Sequence, residues 1–215
     1  MSVSISSPEQ SAAEEVFGNR FGLAAQFVEH LATSGIERGL LGPREIPRLW
    51  GRHVLNCAVV EALIYPGAKV CDVGSGAGLP GVALAIARPD ISMILIEPLE
   101  RRICWLEEVV ADLGLSNVEV RRARAEQLVG TLDADFVTAR AVSALVQLAG
   151  LTMPLVGKRG TVLAIKGRSA EAEVAKASKI IAKLGGQSTD IVSLGAEILP
   201  EPTTVVRIVV RKSGR

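Results

Sequence analysis

The stretch Cys71-Asp72-Val73-Gly74-Ser75-Gly76-Ala77-Gly78-Leu79-Pro80-Gly81 decides the fold. Residues 69–73 are short, apolar and followed by glycines, the pattern of a strand buried on both faces. Residues 79–87 read as a helix, ended by Pro89. The glycines therefore fall where a strand ends and a helix begins, the place where open α/β sheets bind ligands. Gly76, Gly78 and Gly81 also satisfy G-x-G-x-x-G, the dinucleotide pattern. Asp72 weighs against that reading. A carboxylate directly before the loop repels a pyrophosphate, whereas S-adenosylmethionine carries an ammonium and a sulfonium that favour a nearby anion. The ligand loop is accordingly read as Gly74, Gly76 and Gly78, with Asp72 beneath it, and a nucleotide-dependent oxidoreductase is disfavoured.

Working outward, residues 92–96 form a second strand, and Glu97 closes it, 23 residues after Gly74. An acid there can accept both hydroxyls of an adenosine ribose. Residues 99–113 form an amphipathic helix stopped by Gly114. Strands follow at 118–120, 135–138, 160–165, 188–194 and 203–211, with helices at 143–156 and 170–184. Ala125-Glu126, after the third strand, can meet an adenine edge or can simply open a helix. Strands alternating with helices imply a parallel sheet covered on both faces, and the last two strands, with no helix between them, imply one antiparallel strand. Before the sheet, residues 8–34 read as one helix capped by Ser7 with Pro8 at its first position, and residues 47–63 as a second.

Composition bounds the function. The 215 residues suit one domain, and 48% apolar with 22% charged residues rules out global disorder. The net charge of +1 and 3% aromatic content disfavour a tail-driven nucleic-acid binder or a protein stacking long single strands. That neutrality hides segregation. Residues 1–35 carry net −3, residues 36–56 net +2, and residues 157–168 and 207–215 net +4 each. These basic segments are expected on one cofactor-facing surface. No apolar run is long enough to cross a membrane, and MSVSISSPEQ lacks the basic and apolar regions of a leader, so a cytoplasmic protein is expected. Cys57, Cys71 and Cys104 lie far apart, so neither a disulfide framework nor a metal site is expected.

The motifs together resemble the bacterial small-subunit ribosomal RNA guanine-N7 methyltransferase family, also called glucose-inhibited division protein B. The resemblance rests on Arg52-His53-Val54-Leu55-Asn56, the 72–81 loop, Glu97-Pro98-Leu99-Glu100-Arg101-Arg102, Arg124-Ala125-Glu126, Ala139-Arg140-Ala141 and Ile165-Lys166-Gly167, in order over roughly residues 36–170. Residues 39–42 depart from the asparagine-leucine-threonine segment of many relatives. The resemblance implies a class I S-adenosylmethionine-dependent methyltransferase fold of Rossmann-like type, with a seven-stranded, mostly parallel sheet. In this reading residues 1–64 are a helical extension packed on a core of residues 65–215. It further implies S-adenosylmethionine as cofactor and a guanine in the decoding-region loop of small-subunit rRNA, free or in the 30S particle, as acceptor; nothing in the sequence demands an oligomer, so a monomer is expected. Gly74, Leu79, Ala125, Glu126 and Arg140 become cofactor contacts.

The chemistry suits the residues. Guanine N7 has a lone pair and no proton, so its methylation needs positioning rather than a general base. There is no Asn-Pro-Pro-Tyr loop for adenine N6 and no cysteine placed as a cytosine nucleophile. His53 and Asn56, on one helical face, and Arg140 at a strand end are the positioning candidates. Arg48 and Arg52, with no acid four residues away, and Lys166 are candidates for RNA phosphate. Trp50 can stack on RNA or fill the core. Two rivals remain: a small-molecule methyltransferase on the same fold, and a non-catalytic rRNA-binding assembly factor.

Overall fold

A computed structural model of the chain describes residues 3–212. The N-terminal region is less regular than its periodicity implies. Helix α1 (Ser7–Phe17) ends at Gly18, whose φ of +52° breaks the coil, and a 3₁₀ turn leads into α2 (Phe21–His30) and a wide π turn, Leu31–Gly35. The expected single helix is therefore two, and its cap sits one residue earlier, where the Ser6 amide donates to Glu9 Oε2 at 3.1 Å. The second helical stretch begins at Pro43 rather than residue 47. It runs to Leu63 through 3₁₀ and π turns around a short α turn, α3 (Asn56–Ala58). Pro47, which cannot donate a helical hydrogen bond, sits inside its first 3₁₀ segment.

The sheet holds seven strands: β1 (Lys69–Val73), β2 (Ser92–Glu97), β3 (Val118–Arg122), β4 (Ala134–Arg140), β5 (Val156–Lys166), β6 (Gly186–Leu194) and β7 (Thr203–Arg211). Their order is β3-β2-β1-β4-β5-β7-β6. All pairings are parallel except those of β7, which runs antiparallel to both β5 and β6. Order reverses between β1 and β4, the switch point beyond whose carboxyl ends a ligand crevice opens. Helices α4 (Gly81–Ala87), α5 (Glu100–Asp112), α6 (Leu145–Thr152) and α7 (Ala170–Lys183) complete the layers.

Strand alternation divides the core into two. Val70, Met93, Leu95, Leu163 and Ile165 face α4 and α5, while Cys71, Ile94, Ile96, Val162 and Ala164 face α6 and α7. The first cluster continues without interruption into the N-terminal helices. Phe27, Leu31, Leu49 and Leu55 are fully buried in it with Val82, Leu84 and Ile86. Arg20 Nε adds a 2.7 Å bond to the Ile86 carbonyl. Trp50 resolves as core, stacked on Phe21 with centroids 5.6 Å apart. Among the described residues no helix is long and apolar enough to cross a membrane.

Because Phe27 is fully buried where α2 meets α4, Phe27→Ala should cost about 3–5 kcal/mol of unfolding free energy in urea denaturation, in one cooperative transition. A loss under about 1 kcal/mol, or a separate early transition for the helices, would contradict this packing.

Candidate active site

The loop after β1 is shaped by what it must pass. Its first amides fold back on β2: Gly74 N and Ser75 N both donate to the Ile96 carbonyl, at 2.8 and 3.2 Å. Gly74 has φ of +71°, and a Cβ there would lie 2.9 Å from Val142 Cγ2. Val142 follows Ala141, which at φ +54° is the one non-glycine residue of positive φ among those described. The loop after β1 and the loop after β4 thus close on each other above the sheet.

Asp72 is placed differently from its sequence reading. Strand parity turns its fully buried side chain toward α4, where Oδ2 accepts the Gly81 amide at 3.1 Å and Oδ1 accepts the Thr138 hydroxyl at 2.9 Å. A Cβ at Gly81 would sit 2.3 Å from Leu95 Cδ2 and 2.8 Å from Asp72 Oδ2, so glycine is required there. Asp72 lines neither of the two cavities described below; it fastens β1, β4 and the start of α4 together. Burial lifts its carboxyl to about 6, against the opposing pull of these hydrogen bonds.

A cavity of about 410 Å³ opens beyond β1 and β2. Its walls include Val73, Gly74, Ile96, Glu97, Leu99, Ala125, Glu126 and Val142, so four of the predicted cofactor residues meet there. Glu97 is 1% exposed. Its Oε2 accepts the Gly76 amide at 3.1 Å and Arg102 Nη1 at 3.3 Å, and its Oε1 accepts the Leu99 amide at 3.1 Å. Gly76 therefore acts through Glu97 rather than on the wall. Gly78 and Leu79 are buried in the turn into α4, their amides bonded to the Ser75 carbonyl. Arg102, quoted above only as part of the 97–102 motif, also lines this cavity, and its buried Nε has no partner among the described residues. Its signal was the five-residue spacing from Glu97 across the start of α5. Apolar walls, a buried carboxylate with acceptor capacity left over and an unsatisfied donor fit an adenosine group bearing ribose hydroxyls.

The second cavity, about 990 Å³, adjoins the first at Ala141, which lines both. Arg48, Arg52, His53, Asn56, Arg140 and Lys166 all line it, together with Arg168, which the sequence reading did not single out. Arg140 reaches from the end of β4 to the N-terminal segment: Nη2 donates to His53 Nδ1 at 2.8 Å and Nη1 to the Arg52 carbonyl at 3.3 Å. On the other side of the ring, His53 Nε2 lies 2.8 Å from Glu45 Oε2. Desolvation holds the His53 pKa below its ordinary value, and the Glu45 carboxyl is lowered chiefly by its bond from His53.

Three expectations change here. Lys166 is 10% exposed at its side chain, and its ammonium already donates to Glu173 Oε2 at 2.9 Å and the Ser143 carbonyl at 2.7 Å. It fixes the 141–144 loop on α7 rather than standing free for a phosphate. Arg48 has an acid three residues back, Glu45, at a loose 3.9 Å. The basic segments are also not all on one surface. Because β7 is antiparallel, Arg211 pairs in register with Arg159 at the opposite end of the sheet, while Thr204 pairs with Lys166 at the cavity end. Lys158, Arg159 and Arg211 thus lie away from both cavities.

The family described as rRNA small subunit methyltransferase G matches residues 21–201. Proteins named ribosomal RNA small subunit methyltransferase G are 65% identical in Paenarthrobacter aurescens strain TC1, covering 99% of both chains. One in Thermobifida fusca strain YX is 52% identical, over 93% of this chain and 84% of that one. Solved structures of lower identity share the fold. TYW2 of M. jannaschii in complex with AdoMet has a TM-score of 0.58 at 16% identity, covering 77% of this chain and 78% of that one. A SAM-dependent methyltransferase from Aquifex aeolicus has 0.51 at 20%, covering 85% and 96%.

The raised carboxyl of Asp72 has a sign that can be measured. The folded state holds that proton more tightly than the unfolded chain, so its contribution to stability is complete below about pH 4 and lost as pH rises through about 6. Relative to Asp72→Asn, the wild-type protein should lose up to about 3 kcal/mol between pH 4 and 6 in urea denaturation, with parallel curves above. Parallel curves across the whole range would contradict a carboxyl raised by burial at this site.

Proposed function

The chain belongs to the rRNA small subunit methyltransferase G family, and on that premise we propose that it methylates N7 of a guanine in the decoding-region loop of small-subunit ribosomal RNA, with S-adenosylmethionine as donor. The observation that carries this reading is the pair of adjoining cavities, one apolar with a buried carboxylate and the other rimmed by arginines, meeting at the Arg140-Ala141 corner.

Bound in the first cavity, the donor supplies an electrophilic methyl on a sulfonium. Glu97 would accept a ribose hydroxyl on its remaining lone pair, Ala125 and Glu126 would meet the adenine edge, and the Gly74 turn would admit the rest of the molecule against backbone. Arg102 holds the Glu97 carboxylate in place. On the acceptor side, Arg48, Arg52 and Arg168 are placed to neutralise phosphates, and Arg140 to donate to guanine O6 while leaving N7 free. His53 and Asn56 stand beside it. Neither cavity needs a general base, since N7 carries no proton. Holding donor and acceptor in line is what this site contributes, an effect that can lower a barrier by about 7–11 kcal/mol.

In this reading the protein works in the cytoplasm as a monomer, on naked rRNA or on the 30S particle. Two rivals are separable from it by one experiment. Protein is incubated with methyl-labelled S-adenosylmethionine and, in parallel, with 30S particles, naked rRNA or a protein-free metabolite extract. Label should enter small-subunit rRNA at a guanine where borohydride reduction followed by aniline cleaves the strand. Label in small molecules alone would support a metabolite methyltransferase. Cofactor binding without label would support an assembly factor, and labelled guanine that resists cleavage would exclude N7.

A further inference from the structure

Glu45, His53 and Arg140 come from three different places: a 3₁₀ segment, a π turn and the end of β4. They form one line of contacts, Glu45 Oε2 to His53 Nε2 at 2.8 Å and His53 Nδ1 to Arg140 Nη2 at 2.8 Å. A guanidinium can only donate, so His53 Nδ1 must accept, and the ring proton must sit on Nε2, facing the Glu45 carboxylate. This is the arrangement in which a carboxylate selects a histidine tautomer and thereby orients what the other nitrogen holds.

We propose that Glu45 is a positioning residue for methyl transfer: it locks His53 in the Nε2-protonated tautomer, and His53 in turn holds the Arg140 guanidinium across the corner where the two cavities meet. The inference rests on the function proposed above for its catalytic consequence, but not for its structural one. Arg140 is a long side chain with several rotamers, and its second anchor, the Arg52 carbonyl, is weaker at 3.3 Å. Without an accepting Nδ1, the guanidinium is released to solvent or to RNA phosphate, and its alignment on the acceptor base is lost. Protonation of His53 has the same effect, because Nδ1 then becomes a donor facing a cation.

The cavity that His53 lines also holds Glu9, Arg48, Lys166, Arg168 and Glu201, while three charged groups act on the ring itself. Glu45 faces it from the preceding 3₁₀ segment, Arg52 adjoins it in the chain and Arg140 approaches from β4. Behind Arg140 lie Cys57, whose thiol burial pushes up to about 11, and the buried Asp72 carboxyl. Glu45 favours the protonated ring and the two arginines oppose it, so removing the carboxylate should lower the pH at which His53 takes its second proton.

The chain has two histidines, and the other, His30, is bonded to Asp112 on a distant surface, so ring-nitrogen NMR resolves His53 directly. In the wild-type protein His53 should show a protonated Nε2 and a bare Nδ1 at neutral pH. In Glu45→Leu, which leaves the Nε2 proton without an acceptor, the tautomers should mix, and turnover on 30S particles or rRNA should fall about tenfold or more. The acid limb of its pH profile should move to lower pH, while S-adenosylmethionine affinity stays within twofold. Glu45→Asp should recover part of the turnover. A protonated Nδ1 in the wild type would overturn the proposal. So would a Glu45→Leu protein with unchanged tautomer and turnover, or one whose cofactor affinity and melting temperature fall with its turnover while the acid limb stays put. Should the wild type methylate no rRNA, the proposed function fails, and the tautomer measurement alone decides the relay.

Discussion

A buried carboxylate sets the geometry of this protein. Asp72 lies inside the sheet's α4 face, and its two oxygens take a backbone amide from Gly81 and a hydroxyl from Thr138. Putting an ionisable group there costs free energy, visible as the carboxyl pushed up to about 6, and the two hydrogen bonds offset part of that cost. In exchange the bonds fix three elements at one point: the end of β1, the start of α4 and β4. The loop between β1 and α4 then has little freedom. It must cross the end of β2, where the Ile96 carbonyl holds it, and pass beneath Val142. That crossing shapes the first cavity and seats Gly76 against Glu97.

The second dependency runs through Arg140. It stands at the end of β4, two residues beyond Thr138 and thus on the same side of the strand, and reaches the 49–55 turn of the N-terminal segment. The sheet and the helical extension share a core below and an arginine–histidine contact above. The second cavity is therefore made jointly, with Arg48, Arg52 and Asn56 from one part and Arg140 and Arg168 from the other.

Much of this was legible in the sequence because it rests on local pattern. The apolar run of residues 69–73, the glycines after it and an acid 23 residues beyond Gly74 locate β1, its loop and the Glu97 wall without any tertiary information. Other features were hidden for identifiable reasons. Asp72 reads as a ligand residue because it stands directly before the loop in sequence, yet strand parity turns it to α4. Lys166 looked free because its partner, Glu173, lies across a loop in α7. Lys158, Arg159 and Arg211 were grouped with the cavity because segment charge ignores strand direction, and the antiparallel β7 carries its basic end away. Glu45 is hidden because it lies eight residues from His53, about 12 Å away along a regular α-helix, and only the mixed 3₁₀ and π turns bring the two side chains together.

The division of labour between the two cavities is open to a direct measurement: titration of S-adenosylmethionine and of small-subunit rRNA, separately, against two variants. Glu97→Gln should weaken cofactor binding about tenfold or more and leave rRNA binding unchanged. Arg48→Ala with Arg52→Ala should leave cofactor binding unchanged, weaken rRNA binding and reduce its salt dependence by about two ions. If both variants lose both affinities to the same extent, the two cavities are not separate sites for donor and acceptor.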